Sequence, residues 1–130
     1  MIVVDTSALI AILLDEPERR TFIDIIVDYG DPCVSAATYL EASMVMEAYS
    51  GIHGGRDIDD LIEDVGIRII PVDQTQARIA REAFRRFGKG RHRAKLNFGD
   101  CLVYALAQAL DAPLLFKGND FTLTDLKRAL

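Results

Sequence analysis

Four of the twenty acidic residues in this 130-residue chain stand out by their surroundings. Asp5 ends the β-branched run Ile2-Val3-Val4. Glu41 lies one turn before Met44 and Val45, in a stretch whose only charges between Val34 and Ser50 are Glu41 and Glu47. Asp100 closes Asn97-Phe98-Gly99-Asp100, ahead of an almost uncharged run to Leu110. Asp120 follows Leu114-Leu115-Phe116 across Lys117-Gly118-Asn119. Carboxylates gathered in one pocket repel each other strongly unless a cation neutralises them. Oxygen donors without His or Cys suit Mg²⁺, or Mn²⁺ as a substitute, rather than zinc. Such an ion orients a water, lowers its pKa and stabilises charge on a phosphate in an in-line displacement. The chemistry open to these acids is therefore metal-assisted phosphodiester hydrolysis. Three of the four also have a plainer reading: Asp5 as a capping acid at a strand-to-helix turn, Glu41 as a rim residue reaching water, and Asp120 as the cap of a terminal helix.

The intervening segments must position these acids. Ile2 to Val4 reads as a strand buried on both faces, with Thr6 and Ser7 offering cap hydroxyls to a helix over Ala8 to Leu14. Asp15-Glu16-Pro17-Glu18 restarts a helix through Phe22, Ile25, Ile26 and Tyr29, which Gly30 stops. Cys33 to Ser35 is a second short strand, and Ser35 caps a helix from Ala36 to Ser50. In that helix Leu40, Met44, Val45 and Ala48 form an apolar stripe, expected to be buried, and Glu41 falls on it. Gly51 to Gly55 reads as a turn-rich break with His53 in a surface loop, before an amphipathic helix on Ile58, Leu61, Ile62 and Val65. Ile67 to Pro71 is a third strand, and Asp73 caps a helix through Ile79, Ala80, Ala83, Phe84 and Phe87. Asn97 caps the next helix with Asp100 in its first turn, and Leu114 to Phe116 is a fourth strand. Thr122 to Leu130 reads as a short helix or a strand with a helix. This alternation implies a parallel sheet covered on both sides, with strand carboxyl ends along one edge. Ligands of open α/β sheets bind at that edge.

Charge is unevenly spread. Arg78 to Lys95 holds eight basic residues and one acid, a local +7 in a chain of net charge −5, so the remainder carries −12. Asymmetry of this kind marks a surface for a polyanion such as a nucleic-acid backbone, and contacts to it are assigned to Arg85, Arg86, Lys89, Arg91, His92, Arg93 and Lys95. The competing reading is a solvated helix face running into a charged loop that holds His92. Cys33 and Cys101 are sparse and sit in apolar contexts, which suits reduced core thiols in a cytoplasmic protein. No apolar run approaches the roughly 20 residues of a membrane span, and Asp5 breaks the apolar start that a signal peptide would need. One domain over residues 1–130 is expected.

With these motifs in order, the chain resembles the PIN-domain ribonucleases, most closely the VapC-type toxins of toxin–antitoxin pairs. Val4-Asp5-Thr6-Ser7-Ala8-Leu9, Glu41, Leu96-Asn97-Phe98-Gly99-Asp100-Cys101 and Leu115-Phe116-Lys117-Gly118-Asn119-Asp120-Phe121 carry the resemblance. It implies a three-layer α/β/α sandwich with a mostly parallel sheet of four to five strands, and a Mg²⁺-dependent endoribonuclease site. Asp5, Glu41 and Asp100 match the family's acidic triad, with Thr6 or Ser7 as the supporting hydroxyl. It also implies a homodimer and a VapB-type antitoxin that blocks the cleft. Many similar chains carry two acids before the last Phe, where this one has Asn119-Asp120; Asp120 is taken as the fourth contact and Asn119 as a neutral one. Two other readings compete. A receiver-like phospho-acceptor domain would place its acceptor Asp after the third strand, where this chain has Pro71-Val72-Asp73. A catalytically inactive PIN-like module would keep the fold and bind RNA or an antitoxin-type partner without the chemistry.

Overall fold

The computed structural model describes residues 1–130 as four strands and six helices. The strands are β1 (Ile2–Val4), β2 (Pro32–Ser35), β3 (Arg68–Ile70) and β4 (Leu114–Leu115). The helices are α1 (Thr6–Leu13), α2 (Arg19–Tyr29), α3 (Ala36–Ser50), α4 (Ile52–Val65), α5 (Gln74–Phe87) and α6 (Phe98–Leu110). The sheet is parallel throughout, in the order β3-β2-β1-β4. It therefore has four strands, the lower bound of the expectation.

Period-two alternation divides the strand side chains between two cores. Val3, Cys33 and Leu114 point to the side covered by α5 and α6, while Ile2, Val4, Val34 and Leu115 point to the side covered by α1 to α4. The β-branched run at the N-terminus is thus consumed on both faces, each fully buried Val or Ile contributing about 1.5–3 kcal/mol. Both edges are managed. Beside β3, Arg68 pairs with Asp31 through two bonds of 2.9 and 3.1 Å. Beside β4, the terminal segment runs alongside Leu114, whose N–H donates to Lys127 O and whose carbonyl accepts from Ala129 N–H, both at 2.9 Å. Thr122 to Leu130 consequently forms turns and an isolated bridge instead of a helix.

Two further expectations change. The Gly51 to Gly55 segment is a break only at Gly51, and α4 begins at Ile52. Its glycines serve packing: a Cβ on Gly54 would lie 2.2 Å from the carbonyl oxygen of Met46, so α3 and α4 close to backbone contact there. The buried face of α3 is Thr38, Ala42 and Met46, not the Leu40-Met44-Val45-Ala48 stripe. Leu40 and Met44 are 58% and 62% exposed. Small residues at Ala42 and Gly54 let the two helices approach so closely that the larger side chains are turned outward.

The strand order reverses between β1 and β4. From β1 the chain winds outward through β2 to β3, then crosses back over α5 and α6 to lay β4 on the other side of β1. The crevice at the carboxyl ends of β1 and β4 is the topological switch point, where open α/β sheets bind ligands.

Candidate functional site

Asp5 stands at that switch point, fixed by backbone and side chain together. Its N–H donates to Leu115 O at 2.9 Å, extending the β1–β4 ladder by one rung. Its side chain is the N-cap of α1: Oδ2 accepts from the Ser7 N–H at 3.1 Å and from the Ser7 hydroxyl at 2.6 Å. Ser7 Oγ in turn accepts from the Lys117 N–H at 2.9 Å, which pins the loop after β4 to the start of α1. The capping reading and the site reading of Asp5 are therefore both true. Thr6 and Ser7 are first-turn residues rather than caps, since Asp5 takes that place. Asp5 is only 8% exposed, and burial raises its carboxyl above the ordinary value. The Ser7 bonds oppose that shift and the nearby Glu41 charge adds to it.

Glu41 reaches the same cleft from α3. Its Oε1 accepts a short hydrogen bond from the Thr6 hydroxyl. Its Oε2 lies where a side chain on Gly99 would stand, 2.8 Å from an ideal Cβ at that position. Gly99 thus admits the carboxylate against the first turn of α6. Glu41 itself is exposed, so the expectation of an acid on a buried stripe gives way to an acid at the rim, held by a hydroxyl.

Asp100 sits on that first turn within a complete capping box. Its N–H donates to Asn97 Oδ1 at 2.9 Å, and its Oδ2 accepts from the Asn97 N–H at 3.1 Å. Its carboxyl is pushed up to about 6, first by burial and then by the charges of Asp120, Asp5 and Glu41, against the pull of the Asn97 bond. The charges of the other three acids singled out in the sequence are thus close enough to be felt at Asp100. Asp120 is exposed, followed by Phe121, which is buried and packs edge-on to Phe116 at 5.3 Å between centroids. Asn119 is exposed beside it, its carbonyl accepting from the Thr122 N–H at 3.2 Å and hydroxyl at 2.7 Å.

As positioned, no three Asp, Glu, His or Cys side chains converge tightly enough to enclose an ion. The acids line a cleft instead of closing a cage. That suits Mg²⁺, which keeps several waters and takes only one or two carboxylates directly. Asp5 and Asp100, each raised first by burial and further by the negative charges beside it, are in the electrostatic condition that a divalent cation relieves.

The basic segment is less uniform than its composition. Arg86 is committed to Asp125 at 3.3 Å and to the Phe87 ring at 4.7 Å, and Arg85 to Glu82 at 3.4 Å. His92 is folded inward, its ring edge-on to Phe87 at 5.3 Å and its Nδ1 accepting from the Ala94 N–H at 3.0 Å. Lys89, Arg91, Arg93 and Lys95 are exposed on a loop that Lys89 and Leu96 close by backbone bonding at 3.0 Å. Sequence reasoning passed over Lys117, whose Nζ meets Glu16 at 2.9 Å and Glu18 at 3.1 Å and ties the α1–α2 link to the site. It also passed over Phe98, which is 84% exposed beside the acids. An aromatic in an otherwise polar helix start was the available signal.

The family described as PIN domain matches residues 2–127. The chain is 48% identical to a "Ribonuclease VapC" of Mycolicibacterium smegmatis over 124 residues, covering 95% of this chain and 96% of that one. It is 46% identical to "Ribonuclease VapC30" of Mycobacterium tuberculosis, covering 95% of each. Among solved structures it is similar to Mycobacterium tuberculosis VapC20, described as a sarcin-ricin loop cleaving toxin, with a TM-score of 0.78 at 16% identity over 97% of this chain and 96% of that one. A toxin–antitoxin complex from Klebsiella pneumoniae matches with a TM-score of 0.71 at 20% identity, over 96% and 93% of the two chains. At those identities the solved structures speak for the fold.

Proposed function

The chain belongs to the PIN-domain family, in its VapC type, and from that premise we propose that it is a Mg²⁺-dependent endoribonuclease, the toxin of a VapBC-type toxin–antitoxin pair. One observation carries the metal-dependent chemistry: Asp5, Glu41, Asp100 and Asp120, from four separate segments, meet electrostatically at the sheet's switch point. Asp5 and Asp100 are the direct metal contacts, being the most buried and the most burdened by like charge. Glu41 and Asp120 act at the rim, through water or directly. When bound, the ion lowers the pKa of a water and stabilises charge on the attacked phosphate. Ser7 and Asn97 orient the two inner carboxylates, and Thr6 orients Glu41.

Asp120, rather than Asn119, is assigned as the fourth contact. A carboxylate gains from the cation's charge as well as from its lone pair, and buried Phe121 fixes the backbone beside it. Asp120→Ala should raise the Mg²⁺ concentration needed for half-maximal cleavage several-fold, with a smaller change for Asn119→Ala. An unshifted Mg²⁺ curve for Asp120→Ala beside a shifted one for Asn119→Ala would reverse the assignment.

RNA backbone is assigned chiefly to Lys89, Arg91, Arg93 and Lys95, the exposed loop that follows α5. Arg85 and Arg86 contribute less, since each is paired with a carboxylate, and so does His92, whose ring is turned in against Phe87. Replacing Arg91, Arg93 and Lys95 with Ala should weaken binding to all RNA sequences and flatten its salt dependence, because counterion release scales with phosphates contacted. An unchanged slope would return the loop to a solvated surface.

The partners proposed are a VapB-type antitoxin and a second copy of the chain, in the cytoplasm. Several structural neighbours are toxin–antitoxin complexes, which supports the first. The exposed α3 stripe of Leu40, Met44, Val45 and Tyr49 supports the second. Its side chains are apolar and exposed, and one such patch can pair with its own copy about a twofold axis. Met44→Glu should convert a dimer to a monomer by light scattering; a mass unaffected by the substitution would remove this face from the dimer. No helix is long and apolar enough to cross a membrane.

A further inference from the structure

Phe98 opens α6 and at 84% is the most exposed of the chain's large hydrophobic side chains. On the same helix face, Cys101 and Leu102 form with Phe98 one wall of a cavity of about 380 Å³, closed opposite by Ala77, Ala80, Arg81 and Phe84 of α5. The lining is apolar apart from the Arg81 guanidinium. A second guanidinium, of Arg91, lies 5.1 Å from the centre of the Phe84 ring. The pocket is therefore an aromatic and aliphatic slot edged by two cations. Its position is fixed by the capping box, because Asn97 and Asp100, which bracket Phe98, are bonded to each other in both directions at 2.9 and 3.1 Å. Asp100 turns toward the acids and Phe98 toward the slot, so slot and acid cleft flank the same helical turn, with only the glycine at position 99 between them.

We propose that this slot holds an unpaired nucleobase of the RNA, adjoining the phosphate that is cut, with the base stacked on Phe98. The proposal rests on the ribonuclease reading above. A strand crossing the first turn of α6 would set its phosphate on the acid side and its base on the Phe98 side. A π-face against an aromatic ring suits any base, and the cations at the rim suit the flanking phosphates. A base already stacked within a duplex is not free to enter. The positive surroundings, Arg81 and Arg91 together with Arg78 beside Ala77 and Arg81, favour a polyanion over an apolar peptide segment as the occupant.

The test measures binding without turnover. A short, fluorescently labelled single-stranded oligoribonucleotide of mixed sequence and its duplex form are titrated in chelator with wild type, Phe98→Ala and Phe98→Trp, and cleavage of the single strand in Mg²⁺ is followed in parallel. Phe98→Ala should weaken single-strand binding roughly ten- to a hundredfold, the range for loss of one base-stacking partner. Phe98→Trp should restore it, and duplex binding should be the same for all three. The salt slope should not change, because no phosphate contact is lost. Wild-type single-strand affinity in Phe98→Ala, or an equal loss for duplex, would overturn the proposal. So would unaltered RNA binding accompanied by lost affinity for a protein partner, which would assign the slot to that partner. If wild type neither binds nor cuts the RNA, the ribonuclease reading itself fails; if it cuts and Phe98→Ala cuts equally well, only the slot assignment fails.

Discussion

Asp5→Asn and Asp100→Asn should each abolish Mg²⁺-dependent RNA cleavage, by about a thousandfold or more, in a protein that remains folded. A neutral amide is a poor ligand for a hard cation, and loss of a principal electrostatic contact in a reacting site acts on this scale. Asparagine keeps an acceptor oxygen for the Ser7 donors at position 5 and for the Asn97 N–H at position 100, so both caps persist. Stability should move the opposite way from activity. With its carboxyl pushed up to about 6, folded Asp100 binds its proton more tightly than the unfolded chain does. The free energy of unfolding therefore falls as pH rises from the ordinary value of 3.8 through 6. In chelator at pH 7, Asp100→Asn should be more stable than wild type, and that advantage should vanish below the ordinary carboxylate range. Wild-type cleavage by either variant would refute the metal assignment; denaturant melts at several pH values check the stability sign.

Glu41→Gln is the second large effect expected, a loss of cleavage of roughly tenfold to a hundredfold, with Glu47→Gln as its control on the same helix. Glutamine still accepts from the Thr6 hydroxyl, so the substitution removes charge while leaving the contact that holds the side chain. Glu47 points elsewhere: its carboxylate lies against Gly55 of α4, whereas that of Glu41 lies against Gly99 of α6. Cleavage assays on the two variants separate the possibilities. Equal loss would signal disruption of α3, and no loss from either would leave Glu41 as a rim residue bonded to Thr6 without a role in the reaction.

The sheet, and the positions of the candidate site's acids on it, were legible in the sequence for a simple reason. A run such as Ile2-Val3-Val4 has few other places to go than the middle of a parallel sheet, and residues at strand ends and helix caps are placed by local geometry. Asp5, Ser35, Asp73 and Asn97 each cap the helix expected of them, or the one directly following. Helix faces were harder to read. The α3 stripe looked like core because apolar periodicity cannot say whether a stripe meets this chain or another surface. The tight approach of Gly54 to Met46, a long-range fact, decided which face was turned in. The same limit hid α4's start, since glycines that signal a break in isolation here permit helix–helix contact. The tail was ambiguous because its pairing with Leu114 supplies the backbone bonds that a terminal helix would otherwise make internally. Charge counting found the basic segment but not which of its residues were already engaged, as Arg86 is with Asp125.

The most direct measurement is RNA cleavage by the purified protein in Mg²⁺, in excess chelator, and in Mg²⁺ again after the chelator is saturated, with Asp5→Asn carried alongside. Cleavage should be present, absent and restored for the wild type, and absent throughout for the variant. Cleavage that persists in chelator, or that Asp5→Asn retains, would contradict a metal-assisted site built on the four acids.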